Sequence, residues 1–119
     1  MSLNPRIAVA RAVSHARDKK SFDITVLDIS GISVICDYFV ICSGTSTTHV
    51  KAIAGHIKTK MAEEEFVLLR SEGFREGLWV LLDYGDIVVH VFLNEEREFY
   101  NLERLWGDAK VVANNEITG

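Results

Sequence analysis

A short run of hydroxyl residues around a glycine, at positions 43–46, is the first place in this chain where chemistry is conceivable. The sequence Ser-Gly-Thr-Ser lies between a predicted strand and a predicted helix, and free backbone N–H groups at a helix N-terminus can bind an anion such as phosphate. The segment lacks the lysine of a Walker motif and the spaced glycines of a dinucleotide-binding turn. A structural role is favoured, in which Gly44 makes the turn and Thr45 or Ser46 caps the helix.

Metal and nucleophile chemistry have weaker support. His49 and His56 are separated by two helical turns, roughly 10 Å of helix rise, and cannot share one metal ion directly. With the other histidines, His15 and His90, they give no spacing typical of zinc sites. Carboxylates for a two-metal cluster exist in principle, but nothing in the sequence brings them together: Asp28, Asp37, Asp83 and Asp86. We therefore predict no catalytic residue, no metal ligand and no cofactor, and an enzyme is disfavoured.

The two cysteines, Cys36 and Cys42, are interpreted as small buried hydrophobic residues in a reducing compartment. In an extended segment their even spacing would place both thiols on one face, too far apart to form a disulfide. No CxxC pair is present.

Size and composition predict one globular domain. The chain has 119 residues, of which 48% are hydrophobic and 25% charged. We expect a single domain over residues 1–119, with an ordered core from about 5 to 112 and a flexible tail at 113–119. The net charge of -4 argues against nucleic-acid binding through a broad basic surface and favours a basic partner.

Hydrophobic patterning predicts helices packed on a mixed sheet, in the order α-β-β-α-β-β-β-α. The first helix can be capped by Ser2 or Asn4. We favour such a folded helix, with its basic residues, over an organellar targeting sequence, to which the N-terminal segment has only a weak likeness. The second strand is apolar enough to be central. The predicted helices cover residues 5–19, 46–64 and about 96–105, and the strands cover 23–30, 38–42, 66–70 and a hairpin from Trp79 to Phe92. The helical stripe of the first helix is expected at Ile7, Ala10, Val13 or Ser14, and Ala16 or Arg17. That of the second is expected at Val50, Ile53, Ala54, Ile57 and Met61.

The hairpin has two faces of different composition. With Tyr84-Gly85 as a two-residue turn, Trp79 would face His90, Leu81 would face Val88 and Asp83 would face Asp86. The opposite face is aliphatic and forms core: Leu78, Val80, Leu82, Ile87, Val89 and Val91. A strand face with Trp, His, Phe and acidic residues is typical of a recognition surface, where aromatic anchors carry the binding energy.

Several motifs in order resemble the Iojap family of ribosomal silencing factors, over about residues 5–112. They are Asp28-Ile-Ser-Gly-Ile-Ser33, Cys36-Asp-Tyr-Phe-Val-Ile41, Ser43-Gly-Thr-Ser46, His49-Val-Lys-Ala-Ile53, Trp79-Val-Leu-Leu-Asp-Tyr-Gly-Asp86, Val89-His-Val-Phe92, Arg97-Glu-Phe-Tyr100 and Leu102-Glu-Arg-Leu-Trp106. One position departs from the pattern, since Thr48 stands where members often carry Arg.

The resemblance implies a nucleotidyltransferase-like α/β fold without the paired carboxylates that such enzymes use to hold metal. It also implies a non-enzymatic protein that is a homodimer when free. The short N-terminus favours the bacterial cytoplasm over an organelle. Such a protein binds the large ribosomal subunit through its fourteenth protein, blocks joining of the small subunit and represses translation when nutrients are short. An alternative is a residual nucleotidyltransferase that uses Ser43, Thr45 and Asp28 or Asp37.

We predict that the partner-binding residues lie on the hairpin and on the helix that follows it. They are Trp79, Leu81, Asp83, Tyr84, Asp86, His90, Phe92, Arg97, Tyr100 and Trp106. No membrane contact and no sequence-specific nucleic-acid binding is expected.

Overall fold

The computed structural model describes residues 4–112 as one mixed α/β domain built on a six-stranded sheet. The strands are β1 (Phe22–Asp28), β2 (Tyr38–Gly44), β3 (Arg70–Glu72), β4 (Trp79–Asp83), β5 (Ile87–Leu93) and β6 (Lys110–Val111). The helices are α1 (Pro5–Asp18), α2 (Thr47–Glu63), α3 (Asn94–Tyr100) and α4 (Leu102–Leu105). The strand order is β3-β4-β5-β2-β1-β6. The predicted flexible tail at 113–119 lies outside the described residues.

Helix α1 begins where the sequence predicts. The Asn4 side chain accepts a hydrogen bond from the Arg6 N–H at 2.9 Å, and Pro5 occupies the first turn. Of the predicted stripe, Val13 and Ala16 are fully buried, whereas Ile7 is 51% exposed. The face that packs on the sheet contains Ala8, Val9, Ala12, Val13 and Ala16.

Helix α2 confirms its prediction in both cap and stripe. Ser46 accepts a hydrogen bond from the His49 N–H at 3.0 Å, which satisfies one of the free donors of the first turn. All five residues of the predicted stripe are fully buried: Val50, Ile53, Ala54, Ile57 and Met61. Together α1 and α2 cover one face of the sheet.

The centre of the sheet is the parallel pair β2 and β5, so the prediction that β2 is central is confirmed. Both strands are almost continuously buried. Such near-continuous apolar strands are typical of sheets covered on both faces.

The hairpin of β4 and β5 has the predicted faces but a different register. Trp79 pairs with Phe92, Leu81 with His90 and Asp83 with Val88. The turn is centred one residue later, at Gly85-Asp86, because the Tyr84 N–H donates to the Ile87 carbonyl oxygen at 2.9 Å. Gly85 has a φ of +87°, which favours glycine. Asp83 and Asp86 therefore do not face each other. Leu78, which we expected in the core, is 40% exposed.

Two predicted elements are wrong in the second half of the chain. The third strand is the polar edge β3 rather than residues 66–70, and the last predicted helix is two helices. Asn101, with a φ of +46°, separates α3 from α4 and caps α4. The edge strand β6 was not predicted. Within residues 4–112, no helix combines the length and the hydropathy needed to span a bilayer.

Candidate functional site: an aromatic sheet face

The sheet face opposite α1 and α2 carries the aromatic residues of the hairpin. We call this surface the aromatic face and define it by Phe39, Trp79, Leu81, His90 and Phe92. The chain from Leu102 to Ala109 folds back over part of it, so that Leu102, Trp106 and Ala109 pack into the same cluster. One part of the aromatic face is consequently buried under this segment, and the other part is open to solvent.

A series of rings leads from the buried part of this face to solvent. The Trp79 ring stacks on Phe92 with centroids 4.9 Å apart, and Tyr100 lies 4.8 Å from Trp79. Phe99 makes an edge contact with Tyr100 at 5.1 Å. Phe92 is fully buried, whereas Tyr100 is 47% and Phe99 80% exposed. Packing against one another holds these side chains in place, which reduces the entropy lost when a partner covers them.

The buried His90 side chain holds the first ring of this series, Trp79, through a hydrogen bond. The Trp79 indole N–H donates to His90 Nδ1 at 3.0 Å, so the ring proton of the neutral histidine lies on Nε2. Burial lowers the pKa of His90 to about 4. His90 is 3% exposed, so it offers no surface to a partner and acts through Trp79.

Arg97, another predicted contact residue, is also buried. Its Nη1 donates to the Asp23 carbonyl oxygen and to Ser43 Oγ, the latter at 2.8 Å. Its Nη2 donates to Thr25 Oγ1 and to Glu103 Oε2, each at 3.1 Å. The guanidinium thereby joins α3 to β1, β2 and α4, and it holds the chain at the β1 irregularity between Phe22 and Thr25.

The turn residues of the hairpin have separate roles. The Asp83 carboxylate accepts the Gly85 N–H at 2.8 Å and so stabilises the turn. Asp86 is exposed at the tip. Tyr84 packs against the core on the α1 and α2 side, and burial raises the pKa of its hydroxyl to about 12.

The structure therefore divides the predicted contact residues into three groups. Trp79, Leu81, Tyr100 and Trp106 form a half-exposed surface, which we call the aromatic surface, with Asp83 and Asp86 at its hairpin end. His90, Phe92 and Arg97 lie beneath that surface, because α3 and α4 close over the sheet. Tyr84 lies on the opposite face of the sheet, which α1 and α2 cover.

Two exposed apolar residues beside this surface were missed. Phe99 is 80% and Leu105 74% exposed, and both line an open groove of about 510 Å³ with Glu98, Tyr100, Asn101 and Arg104. The sequence held a signal for Phe99, since an aromatic residue that follows four charged residues on a short helix has few buried neighbours to pack against.

The Ser-Gly-Thr-Ser segment uses its own polar groups internally. Ser43 is fully buried under Arg97. The Thr45 N–H donates to His49 Nδ1 at 2.9 Å, so this donor is not directed at a ligand. Ser46 is the α2 cap, as predicted. Within residues 4–112, no group of three converging metal-ligating side chains includes Asp28, Asp37, Asp83 or Asp86.

Both cysteines are buried, as predicted, but they lie on opposite faces of the sheet. The extended segment that would align them begins only at Tyr38. Burial raises the pKa of Cys36 to about 11 and that of Cys42 to about 12, so neither thiol is activated as a nucleophile.

Because the Thr45 N–H is already bonded to His49, we expect that the segment at residues 43–46 binds no nucleotide. Mg²⁺ with ATP, at concentrations up to millimolar, is expected to leave the melting temperature unchanged. A ligand at a hundredfold excess over its Kd would add about 2.7 kcal/mol of stability, which differential scanning fluorimetry detects readily. A saturable rise that is lost in Thr45→Ala would contradict this expectation and support the nucleotidyltransferase alternative.

The fold and this surface define a small mixed α/β domain with a half-exposed aromatic face on its sheet. A solved structure of the same class, protein CV0518 from Chromobacterium violaceum, superposes with a TM-score of 0.86 at 35% identity and covers 88% of each chain.

The sequence comparisons give the family. The model described as "Ribosomal silencing factor during starvation" matches residues 3–118. The ribosomal silencing factor RsfS of Bacillus subtilis is 48% identical over 110 residues, covering 92% of this chain and 93% of the relative. The chloroplastic protein Iojap of Zea mays is 34% identical over 106 residues, 89% of this chain and 45% of that protein. The chain belongs to the ribosomal silencing factor family, as its motifs predicted.

Proposed function

We propose that this chain binds the large ribosomal subunit through its fourteenth protein and sterically blocks joining of the small subunit, which represses translation when nutrients are short. Binding alone accounts for this action, and no covalent step is needed. Family membership supports the general role of a ribosomal silencing factor.

The observation that carries the choice of docking surface is the ring series from Phe92 to Phe99. It offers aromatic anchors that are half-exposed and already ordered, the arrangement in which a few residues supply most of an interface's binding energy. We assign direct contacts to Trp79, Leu81, Asp86, Tyr100 and Trp106, with Phe99 and Leu105 beside them. Asp83, His90, Phe92 and Arg97 support that surface, and Tyr84 supports the hairpin from the helical side.

Charge supports a basic partner. The acidic residues beside the aromatic residues include Glu98, which lines the same groove as Phe99 and Tyr100, and Asp86 at the hairpin tip. Ribosomal proteins are usually basic, and complementary potentials speed encounter and fix orientation. An acidic rim around aromatic anchors is thus suited to a ribosomal-protein surface.

The test is the double variant Trp79→Ala with Asp86→Lys, measured by co-sedimentation with purified large subunits. We expect association to weaken at least tenfold, because an aromatic anchor is lost and a rim charge is reversed. Joining of large and small subunits, followed on a sucrose gradient, is expected to recover in parallel.

A matched control makes the same types of change on the helical face. Phe74→Ala with Glu63→Lys also removes one exposed aromatic ring and reverses one acidic charge, and it is expected to bind like the unmodified chain. Thermal melts of both variants establish that they are folded. Equal association of the test variant and the control would reject the aromatic surface as the docking site.

The same proposal includes a homodimer of the free chain and a place beside the ribosomes of a bacterial cytoplasm. The homodimer follows from the family resemblance, and the location follows from the proposed association with ribosomes. An exposed apolar surface of this kind would favour self-association in the absence of the ribosome, so the dimer and the ribosome complex would compete if they share it.

A further inference from the structure

Two histidines and an aspartate from different helices converge at the far end of α1, away from the aromatic face. They are His15 and Asp18 on α1 and His56 on α2. Their ligand atoms all lie within 4.8 Å of one another. The Asp18 carboxylate is 3.1 Å from His56 Nε2 and 3.7 Å from His15 Nδ1. Imidazole and carboxylate groups at such distances are a donor set typical of zinc and related divalent metals.

His15 Nδ1 has no hydrogen-bond partner although the side chain is only 5% exposed. A buried polar atom without a partner is rare in native proteins and requires an explanation. At 3.7 Å the Asp18 oxygen is too far for a hydrogen bond. The unpartnered nitrogen faces the space that Asp18 and His56 also border.

The other ring nitrogen of His15 determines which tautomer is present. His15 Nε2 lies 2.7 Å from Glu64 Oε1, and Arg11 contacts the other oxygen of that carboxylate at 2.6 Å. The positive charge of the Arg11 guanidinium at this distance favours the ionised form of the Glu64 carboxyl group. An ionised carboxylate must accept a hydrogen bond here, so Nε2 carries a hydrogen, and in the neutral imidazole Nδ1 then presents a lone pair.

A histidine that donates one ring N–H to a carboxylate, and so directs its other ring nitrogen outward, is the usual arrangement of a metal-ligating histidine in proteins. In the neutral ring this lone pair faces a carboxylate oxygen, and either a proton or a metal ion between the two atoms removes their repulsion. Ligand atoms bound to one zinc ion are roughly 3–4 Å apart, so the three groups need only a small closure. Asp18, which is 54% exposed, is free to make it.

We propose that His15 Nδ1, Asp18 and His56 bind one divalent transition-metal ion of the zinc class, which clamps the end of α1 to the middle of α2. Glu64 is a positioning residue that fixes the His15 tautomer, and Arg11 keeps Glu64 ionised. Solvent on the Asp18 side supplies the remaining coordination position. The sequence did not reveal the site, because its residues lie on two different helices and their spacing along the chain forms no local metal-binding motif.

Equilibrium dialysis of the untagged, reduced protein against Zn²⁺ tests the site directly, with bound metal counted by atomic emission. We expect one zinc per chain, and at least a tenfold weaker affinity in Asp18→Asn and in His56→Gln. Glu64→Gln is expected to weaken zinc ten- to a hundredfold while leaving all three ligands in place. His49→Gln, which removes another imidazole from α2, is expected to bind zinc normally.

A thermal melt adds an independent readout. Saturating Zn²⁺ is expected to raise the melting temperature of the unmodified chain by on the order of 10 °C, and not that of His56→Gln. Asp18 is exposed, so Asp18→Asn remains folded even if His56→Gln does not. If Asp18→Asn retains as much zinc as the unmodified chain, or if the unmodified chain binds none, the proposal is overturned. Neither outcome depends on ribosome binding.

Discussion

Replacing Arg97 with methionine is expected to lower the free energy of unfolding by about 3–5 kcal/mol, the range found when one member of a buried charged network is removed. Methionine fills much of the aliphatic volume but donates no hydrogen bond. The Asp23 carbonyl, the Ser43 hydroxyl and the Glu103 carboxylate would each lose a charged donor. Urea denaturation at neutral pH measures the loss.

Two companion variants separate the network from charge alone. Arg97→Lys keeps the positive charge, but one ammonium cannot reach acceptors arranged around a planar guanidinium, so an intermediate loss is expected. Arg104→Met removes an exposed arginine from α4 and is expected to change stability by less than about 0.5 kcal/mol. A loss below about 1 kcal/mol for Arg97→Met would contradict the buried network and reopen a contact role for Arg97.

Mild acid is expected to destabilise the protein through His90. Burial lowers the pKa of His90 to about 4 in the folded state, while an unfolded histidine has a pKa near 6.5. Below pH 6.5 the unfolded chain binds a proton that the folded chain does not, so stability is lost as the pH falls toward 4. The loss attributed to His90 is about 2 kcal/mol between pH 7 and pH 5.

The comparison with His90→Gln isolates this effect. Glutamine retains an oxygen that can accept the Trp79 indole N–H, but it does not titrate. Whatever its stability at pH 7, the variant is expected to lose about 2 kcal/mol less than the unmodified chain on going to pH 5. The lowered carboxylate pKa values of Asp18, Asp28 and Glu64 act at lower pH. Identical pH profiles for the two proteins would show that His90 is accessible to protons in the folded state.

Sequence patterns located the elements whose periodicity is unambiguous. The α2 stripe consists mainly of large apolar residues, which have one favourable face. Helix α1 is rich in alanine, and its stripe was only partly correct, since Val13 and Ala16 are buried but Ile7 is exposed. The faces of the hairpin were correct despite the wrong turn, because the register moved by two residues and strand side chains alternate with a period of two. Strand β3 was misplaced because its hydrogen bonds to β4, not apolar residues, define it.

The burial of predicted contact residues could not be read from local sequence. His90, Phe92 and Arg97 are covered because α3, α4 and the segment to Ala109 fold back over the sheet. That return depends on contacts such as Arg97 with Thr25, which are far apart in the chain. Periodicity reports which face a residue lies on, but not what later covers that face.

The parallel pairing of β2 with β5 has a consequence for synthesis of the chain. Tyr38 pairs with Ile87, about 50 residues later, so β2 has no neighbour on that side until the second half has left the exit tunnel. Closing so long a loop carries an entropic cost before any contact offsets it, and such topologies fold slowly. The nascent chain therefore exposes one edge of the apolar strand β2 until β5 follows, and the sheet is completed only when almost all of the protein has emerged.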